Sequence, residues 1–389
     1  MDRAESAVFF GLLRQVICGT ELGESERNEL SPRLACALME LAARHDLAHL
    51  TAAAIQKTAP EISQDVAQAV YTAVYRSEQM EYELQRLCGI LEGVHLPFVP
   101  LKGAFVRQLY PERWMRTSCD IDLLVKAQDT DRAIAALSEQ GYERTEDNST
   151  HDYCLRSPSG VHIELHYTLR QDGELNDADP VLDTVWDCCR TVDGWEYRLQ
   201  MSGEMLMFYH LAHMAKHLLH GGCGVRPFVD LWLMESKLPV DKGALEQMLA
   251  AAGLGDFYRA ALDMSRVWLE SAPYTDVTCS LEEYVLSGGA YGTASNAAKT
   301  QAAGGGGRLR AFMDMVFLPR ENLQVIYPTL KNRPCLAPVY QLRRWLRVFD
   351  KNKRKKISDL SRARAGVTDA QAQKTAELFD GLGLPLDKK

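Results

Sequence analysis

Two short segments constrain this chain more than anything else in it: Asp120-Ile121-Asp122-Leu123-Leu124-Val125 and, further along, Val161-His162-Ile163-Glu164-Leu165-His166. Each alternates polar and apolar residues with period two, the signature of a half-buried strand, because successive side chains on a strand point to opposite faces. Asp120 and Asp122 therefore share one face, and Ile121 and Leu123 take the other. In the second segment His162, Glu164 and His166 share a face that Ile163 and Leu165 oppose. If the two strands pair, Glu164 comes up to the aspartates. Clustered carboxylates raise one another's pKa and persist where a divalent cation neutralises them. The pattern thus predicts a three-acid metal site, Asp120, Asp122 and Glu164, on one sheet face. The flanking His162 and His166 leave open a zinc or manganese site of the His-Glu-His kind, against a role for both as core histidines or as groups that orient the acids.

The rest of the chain reads as helices around this unit. Residues 1–91 repeat apolar side chains at spacings of three and four (Phe9, Leu12, Leu13, Val16; Leu34, Ala37, Leu38, Leu41), which predicts a helical N-terminal region. A short apolar stretch bounded by Pro97 and Pro100 then leads into Lys102-Gly103 and a helix-like 104–110. After the Asp-Ile-Asp strand come a helix over 129–140 ending at Gly141, strands over 142–145 and 153–156, and the Ser157-Pro158-Ser159-Gly160 turn. Residues 92–195 are therefore expected to form a small mixed-sheet domain. Helical spacing returns at Ser202 and gives a second helical region over 196–286. Residues 287–307, rich in glycine and alanine, read as a linker. The four glycines at 304–307 lack the lysine, the Ser/Thr and the preceding strand of a phosphate loop. Residues 308–389 are expected to be helical again, with helices over 309–317, 339–349 and 369–382. The fold class expected is α+β, a small mixed-sheet domain flanked by helical N- and C-terminal regions.

A formal net charge of −8 excludes a chain that coats nucleic acid along its whole surface. The concentrated basic segment, 343–364, holds Arg343, Arg344, Arg347, Lys351, Lys353, Arg354, Lys355, Lys356, Arg362 and Arg364. It reads either as a solvated face or as a dock for an anionic membrane or nucleic acid. Ten cysteines without a C-x-x-C pair suit reduced thiols in a cytoplasmic protein. The first residues carry no cleavage-site pattern, and no uncharged run reaches the roughly 18 residues of a membrane span, so neither a secretory signal nor a transmembrane segment is expected.

The ordered set Leu101-Lys102-Gly103, Leu109-Tyr110-Pro111, Arg116, Asp120-Ile121-Asp122-Leu123-Leu124-Val125, Gly141-Tyr142, His151 and Ile163-Glu164-Leu165-His166-Tyr167 resembles the uncharacterised nucleotidyltransferase family of the DNA polymerase β-like superfamily. The match is dense over 97–170 and fainter through the histidine-rich segment near His213. The resemblance implies that Asp120, Asp122 and Glu164 hold two Mg2+ (or Mn2+) ions about 4 Å apart, the spacing suited to in-line displacement. A nucleoside triphosphate, with ATP as the expected donor, would pass its nucleoside monophosphate to the hydroxyl of an acceptor, and pyrophosphate would leave. The acceptor (a small molecule, a protein or an RNA end) is not named by any residue. Glu164 would either bind metal or accept the proton of the attacking hydroxyl. Where the wider superfamily has Gly-Ser, this chain has Lys102-Gly103, so an ammonium would replace a hydroxyl contact to phosphate.

Arg116 reads as a counter-charge for the acids or as a phosphate ligand. His210, His213, His217 and His220, spaced three, four and three apart, fall on one helix face. Of these, His213 and His217 are expected to contact the nucleotide, with a histidine metal stripe as the other reading. Arg226 and Asp230, one turn apart, are expected to pair. Two further functions compete with the transferase: a non-catalytic nucleotide- or partner-binding protein on the same fold, and a hydrolase using His162, Glu164 and His166.

Overall fold

Alternation along the chain becomes a sheet of five strands: β1 (Phe98–Pro100), β2 (Asp120–Val125), β3 (Glu143–Asn148), β4 (Asp152–Arg156) and β5 (His162–His166), in the order β1-β2-β5-β4-β3. The computed structural model describes residues 3–60, 67–148, 151–170, 175, 177–304, 323, 330, 333–347, 362–364, 366–384 and 386. Strands β2 and β5 run parallel, with Asp120 opposite His162 and Asp122 opposite Glu164, while the other neighbours are antiparallel. A parallel pair needs a long crossover. Here helix α7 (Thr130–Glu139) and the β3-β4 hairpin supply it.

The apolar face of this sheet holds it in place. Phe98, Ile121, Leu123, Val125, Ile163 and Leu165 are buried against Ala133 and Leu137 of α7 and against Met80, Leu84, Leu87, Cys88 and Leu91 of α5 (Ala67–Gly93). Each fully buried Leu or Ile contributes about 1.5–3 kcal/mol, so this layer, and not the acids on the other face, stabilises the sheet. The second half of the 27-residue α5 therefore packs with the sheet, on the far side of the boundary expected between residues 91 and 92.

The N-terminal helices and the helices after residue 202 share one core. Helices α1 (Arg3–Ile17), α3 (Pro32–Arg44) and α4 (Ala48–Thr58) bury Phe9, Phe10, Leu12, Leu38 and Leu50 among residues of α9 (Gly203–Leu219), α10 (Arg226–Lys237) and α12 (Gly255–Glu270). Phe10 stacks on Trp268 with ring centroids 4.5 Å apart. The two helical regions expected to be separate bury their apolar stripes against each other, because a lone amphipathic helix has nowhere else to place that face. A two-stranded ribbon, β6 (Cys189–Thr191) with β7 (Leu199–Met201), leads from the sheet into α9, so the edge expected at 195 falls inside its turn.

The stretch expected to be a linker is structured over its described part. Beyond α13 (Asp276–Leu286), a glycine turn leads to α14 (Ala294–Ala303), whose N-cap Thr293 accepts a hydrogen bond from the Asn296 amide. Its glycines serve close approach: Gly292 has φ +71°, and a Cβ there would sit 2.6 Å from the carbonyl oxygen of Gly221 at the end of α9. Ala290 also donates its amide to the Arg44 carbonyl at 2.8 Å, tying the turn to α3. Gly292→Ala is accordingly expected to destabilise the protein by about 1–3 kcal/mol through strain at positive φ and backbone overlap; an unchanged melting temperature would refute this. Residues 305–307, the helix expected over 309–317 and the basic run 351–356 lie outside the described residues. Helices α15 (Ala337–Arg347) and α16 (Asp369–Gly381) cover the other two C-terminal expectations. Among the described residues, no helix is long and apolar enough to cross a membrane.

Candidate active site

The acids stand on β2 and β5, Asp120 at the start of β2 and Asp122 and Glu164 two residues into their strands, on the face turned away from α5 and α7. Because the strands pair in register, Glu164 is directly across from Asp122. His166, one step further along the same face, places Nε2 3.5 Å from Asp122 Oδ1 and 3.5 Å from Glu164 Oε2. That nitrogen is buried without a hydrogen bond of good geometry. Asp122, Glu164 and His166 bring their donor atoms within 4.8 Å of one another. Asp120 shares their face but lies outside this closest set. Two of the three acids expected from the sequence are thus joined by His166, which that reading placed either in a His-Glu-His metal site or as a core or orienting group.

Electrostatics at the site are uneven. Burial, then the charges of Asp122 and Glu164, push Asp120 up to about 6. Asp122 is also buried, yet the imidazole of His166 and the Lys102 ammonium outweigh that burial and hold it down to about 2. Against its own burial, His166 is held up to about 9 by Asp122 and Glu164. Its imidazolium therefore supplies a positive charge between the two acids. Lys102, the first residue of α6 (Lys102–Val106), is pushed down to about 8 by burial despite Asp122 and Asp120 nearby. Its Nζ lies 5.7 Å from the ring centroid of Tyr209.

These groups open on a cavity of about 270 Å³, also lined by Gly103, Arg116, His213, Lys216, His217 and Tyr291. The volume is near the lower end for small-ligand sites. Helix α9 supplies one wall, and Ser202 caps its start by accepting from the Met205 amide. His213 and His217 face each other with Nε2 atoms 2.7 Å apart, so one ring donates and the other accepts. Burial, then the charge of Lys102, keeps both neutral, His213 well below its usual value and His217 at about 4. His210 donates from Nε2 to the Pro227 carbonyl at 2.8 Å, and His220 is the helix C-cap.

Buried neutral histidines imply acid lability. Burial pushes both His45 and His210 down to about 4, so between pH 6.5 and 4 the unfolded chain takes up protons that the folded chain does not. Stability then falls with pH across that window, by about 2 kcal/mol for each at pH 5. Asp120, with its pKa raised, moves the other way as pH drops through 6 and offsets part of the loss. His217, also at about 4, adds to the loss, and His166, held up to about 9, offsets a further part, so a net loss of about 3 kcal/mol or more from pH 7 to pH 5 is expected; an unchanged melting temperature over that range would contradict it.

Arg116 is committed to a partner. Its Nε donates to Asp230 Oδ1 at 3.0 Å and its Nη2 to Oδ2 at 2.9 Å, while the Tyr110 hydroxyl donates to Oδ1 at 2.8 Å. The pair is buried, with side chains 6% and 2% exposed. The charge and hydrogen bonds of Arg116 outweigh burial and lower the Asp230 pKa, and the same partner raises that of Arg116. Only Nη1 is left to face the cavity, beside Gly103, where an added Cβ would lie 3.5 Å away. The pairing of Arg226 with Asp230 expected from their spacing is therefore corrected. Asp230 faces the loop before β2, whereas Arg226, at the first position of α10, bonds Asp46 and the Thr117 carbonyl. Asp46, Tyr209 and Tyr291 also escaped the sequence reading, as did Asp152, whose carboxylate stands with His151 and His166, 3.2 Å from His151 Nε2. Of these only Asp152 had a local signal, the alternation Asp152-Tyr153-Cys154 that puts it on the face of Glu164.

A family model described as uncharacterised nucleotidyltransferase matches residues 32–270, more than half of the 389-residue chain. The chain belongs to that family. Comparison with curated proteins and with solved structures returns no match. The nucleotidyltransferase match takes in the whole sheet and helices α9 and α10, hence every cavity residue named above except Tyr291.

Proposed function

We propose that the protein is a metal-dependent nucleotidyltransferase that moves a nucleoside monophosphate from a nucleoside triphosphate, with ATP as the first donor to test, to a hydroxyl of an acceptor. The observation that carries this reading is the parallel register that sets Asp122 against Glu164, with the buried Nε2 of His166 aimed between them. The oxygen donors of Asp120, Asp122 and Glu164 fit Mg2+ or Mn2+, and the His166 imidazolium between two of them occupies the place of a counter-charge that such an ion would take over. Divalent ions held there would neutralise charge on the attacking and leaving oxygens.

The remaining work falls to the chain's own residues. The acceptor oxygen forms a bond to the α-phosphorus as the bond to the bridging oxygen breaks, and pyrophosphate leaves with that electron pair. Glu164 either serves as a ligand or takes the acceptor's proton. Lys102, beside Gly103 at the start of α6, offers its charge to the phosphates, and Arg116 offers Nη1. His213 and His217, held neutral on α9, contact the nucleotide as uncharged hydrogen-bonding groups. The catalytic unit is the sheet together with the second half of α5, and the basic segment 343–364 remains a candidate dock for an anionic partner. Ten free thiols suit a cytoplasmic place of action.

The test is pyrophosphate release from each of the four ribonucleoside triphosphates with Mg2+ and a cell extract as acceptor source. Release that needs Mg2+ and favours one base supports transfer and names the donor. Silence with all four, together with no nucleotide binding by calorimetry, would overturn it in favour of a partner-binding protein.

A further inference from the structure

The carboxylate of Glu164 has two sides. Its Oε2 faces His166 and, through it, Asp122. Its Oε1 faces the other way, 3.8 Å from Nε2 of His162. On the neighbouring strand β4, Cys154 is the cross-strand partner of Glu164. The donor atoms of Cys154, His162 and Glu164 all lie within 4.8 Å of one another. None of the transfer chemistry above uses Cys154 or His162.

We infer that Cys154, His162 and Glu164 form a second metal site, selective for a thiophilic divalent ion such as Zn2+, that shares Glu164 with the oxygen-donor site. The donor chemistry separates the two sites. Thiolate and imidazole favour Zn2+ over Mg2+, whereas carboxylates alone favour the hard cation. Zn2+ bond lengths place a tetrahedral nitrogen and oxygen about 3.4 Å apart, and His162 and Glu164 lie close to that at 3.8 Å. Side-chain exposures of 37% for His162 and 29% for Glu164 leave an entry path and a fourth position for water. Cys154 itself is buried, and its thiol donates to Asp152 Oδ1 at 3.5 Å. On ligation that thiol gives up its proton, and metal uptake is linked to proton release. Arg156, opposite His162 across the strands, is exposed, so solvent screens its charge.

The regulatory consequence rests on the proposed transferase. Zn2+ bound at Oε1 pulls Glu164 away from Asp122 and His166, so Zn2+ inhibits Mg2+-dependent turnover although it does not occupy the Mg2+ position.

The site is tested by titrating the metal-free full-length protein with Co2+ in excess Mg2+ and following thiolate-to-cobalt charge-transfer absorption. One equivalent is expected in wild type, retained in Asp122→Asn and lost in Cys154→Ser. His162→Gln, a change at a partly exposed side chain, serves if the cysteine variant fails to fold. It should weaken binding by at least about tenfold, the loss that even an outer partner of a metal ligand brings. Absence of the band in wild type, or an equal band in Cys154→Ser, overturns the site. Because absorption is read without reference to turnover, a Cys154-dependent band in a protein that neither releases pyrophosphate nor binds a nucleotide by calorimetry would refute the transferase and leave the metal site standing. In an active protein, Zn2+ inhibition relieved in Cys154→Ser supports the shared carboxylate, and inhibition equal in both refutes the sharing.

Discussion

On the proposed transfer chemistry, Asp122→Asn is expected to lower Mg2+-dependent pyrophosphate release by at least about 100-fold, the loss of roughly 3 kcal/mol of transition-state stabilisation. The substitution keeps the shape of the side chain and removes the charge that stands between His166, Glu164 and Lys102. Lost activity alone would not separate lost chemistry from a lost fold, because the Asp122 charge is itself stabilised by His166 and Lys102. Asp120→Asn makes the separation. Asp120 is the acid whose ionisation the folded state resists, with its pKa moved from 3.8 to about 6 by burial and by the charges of Asp122 and Glu164. Without metal, its replacement relieves up to about 3 kcal/mol of repulsion and desolvation above pH 6, and nothing below the unfolded value near 3.8. This variant is therefore expected to lose turnover while melting at a higher temperature than wild type at pH 8. Turnover in Asp122→Asn within tenfold of wild type would sink the assignment of the acids.

Asp230→Ala has the largest expected effect on stability, about 3–5 kcal/mol, because it leaves the Arg116 guanidinium buried with no counter-charge. Tyr110 loses the acceptor of its hydroxyl in the same step. The network ties the loop before β2 to α10, so its loss also releases the wall of the cavity beside Gly103. Removing both charges, as in Asp230→Ala with Arg116→Met, is expected to recover most of the loss, since a buried pair costs much of its attraction in desolvation. Urea unfolding of the single and double variants measures the difference. A double variant no more stable than Asp230→Ala would show that the cost comes from packing and not from the stranded charge.

What could be read from the sequence follows the range of the interactions behind each feature. Asp120 with Asp122, and His162 with Glu164 and His166, share faces because strand geometry has period two, and that is a property of adjacent residues. The Lys102-Gly103 turn into α6, the Ser202 start of α9 and the His213–His217 stripe were legible for the same local reason. The glycines near 292 misled, since composition cannot distinguish a flexible glycine from one that lets two backbones touch.

Local periodicity determined which residues could meet on a face, and with them the α+β class and the candidate acids. Only the tertiary structure decided which of those residues do meet. The parallel register of β2 and β5 set Glu164 against Asp122 and put His166, with Asp120 to one side, in the closest group. Docking of α10 gave Asp230 to Arg116, and packing of α1 on α12 merged two regions that lie far apart in the chain. These choices depend on contacts between distant segments, where shape and buried charge select one partner among many. Spacing along a single sequence carries no record of that selection.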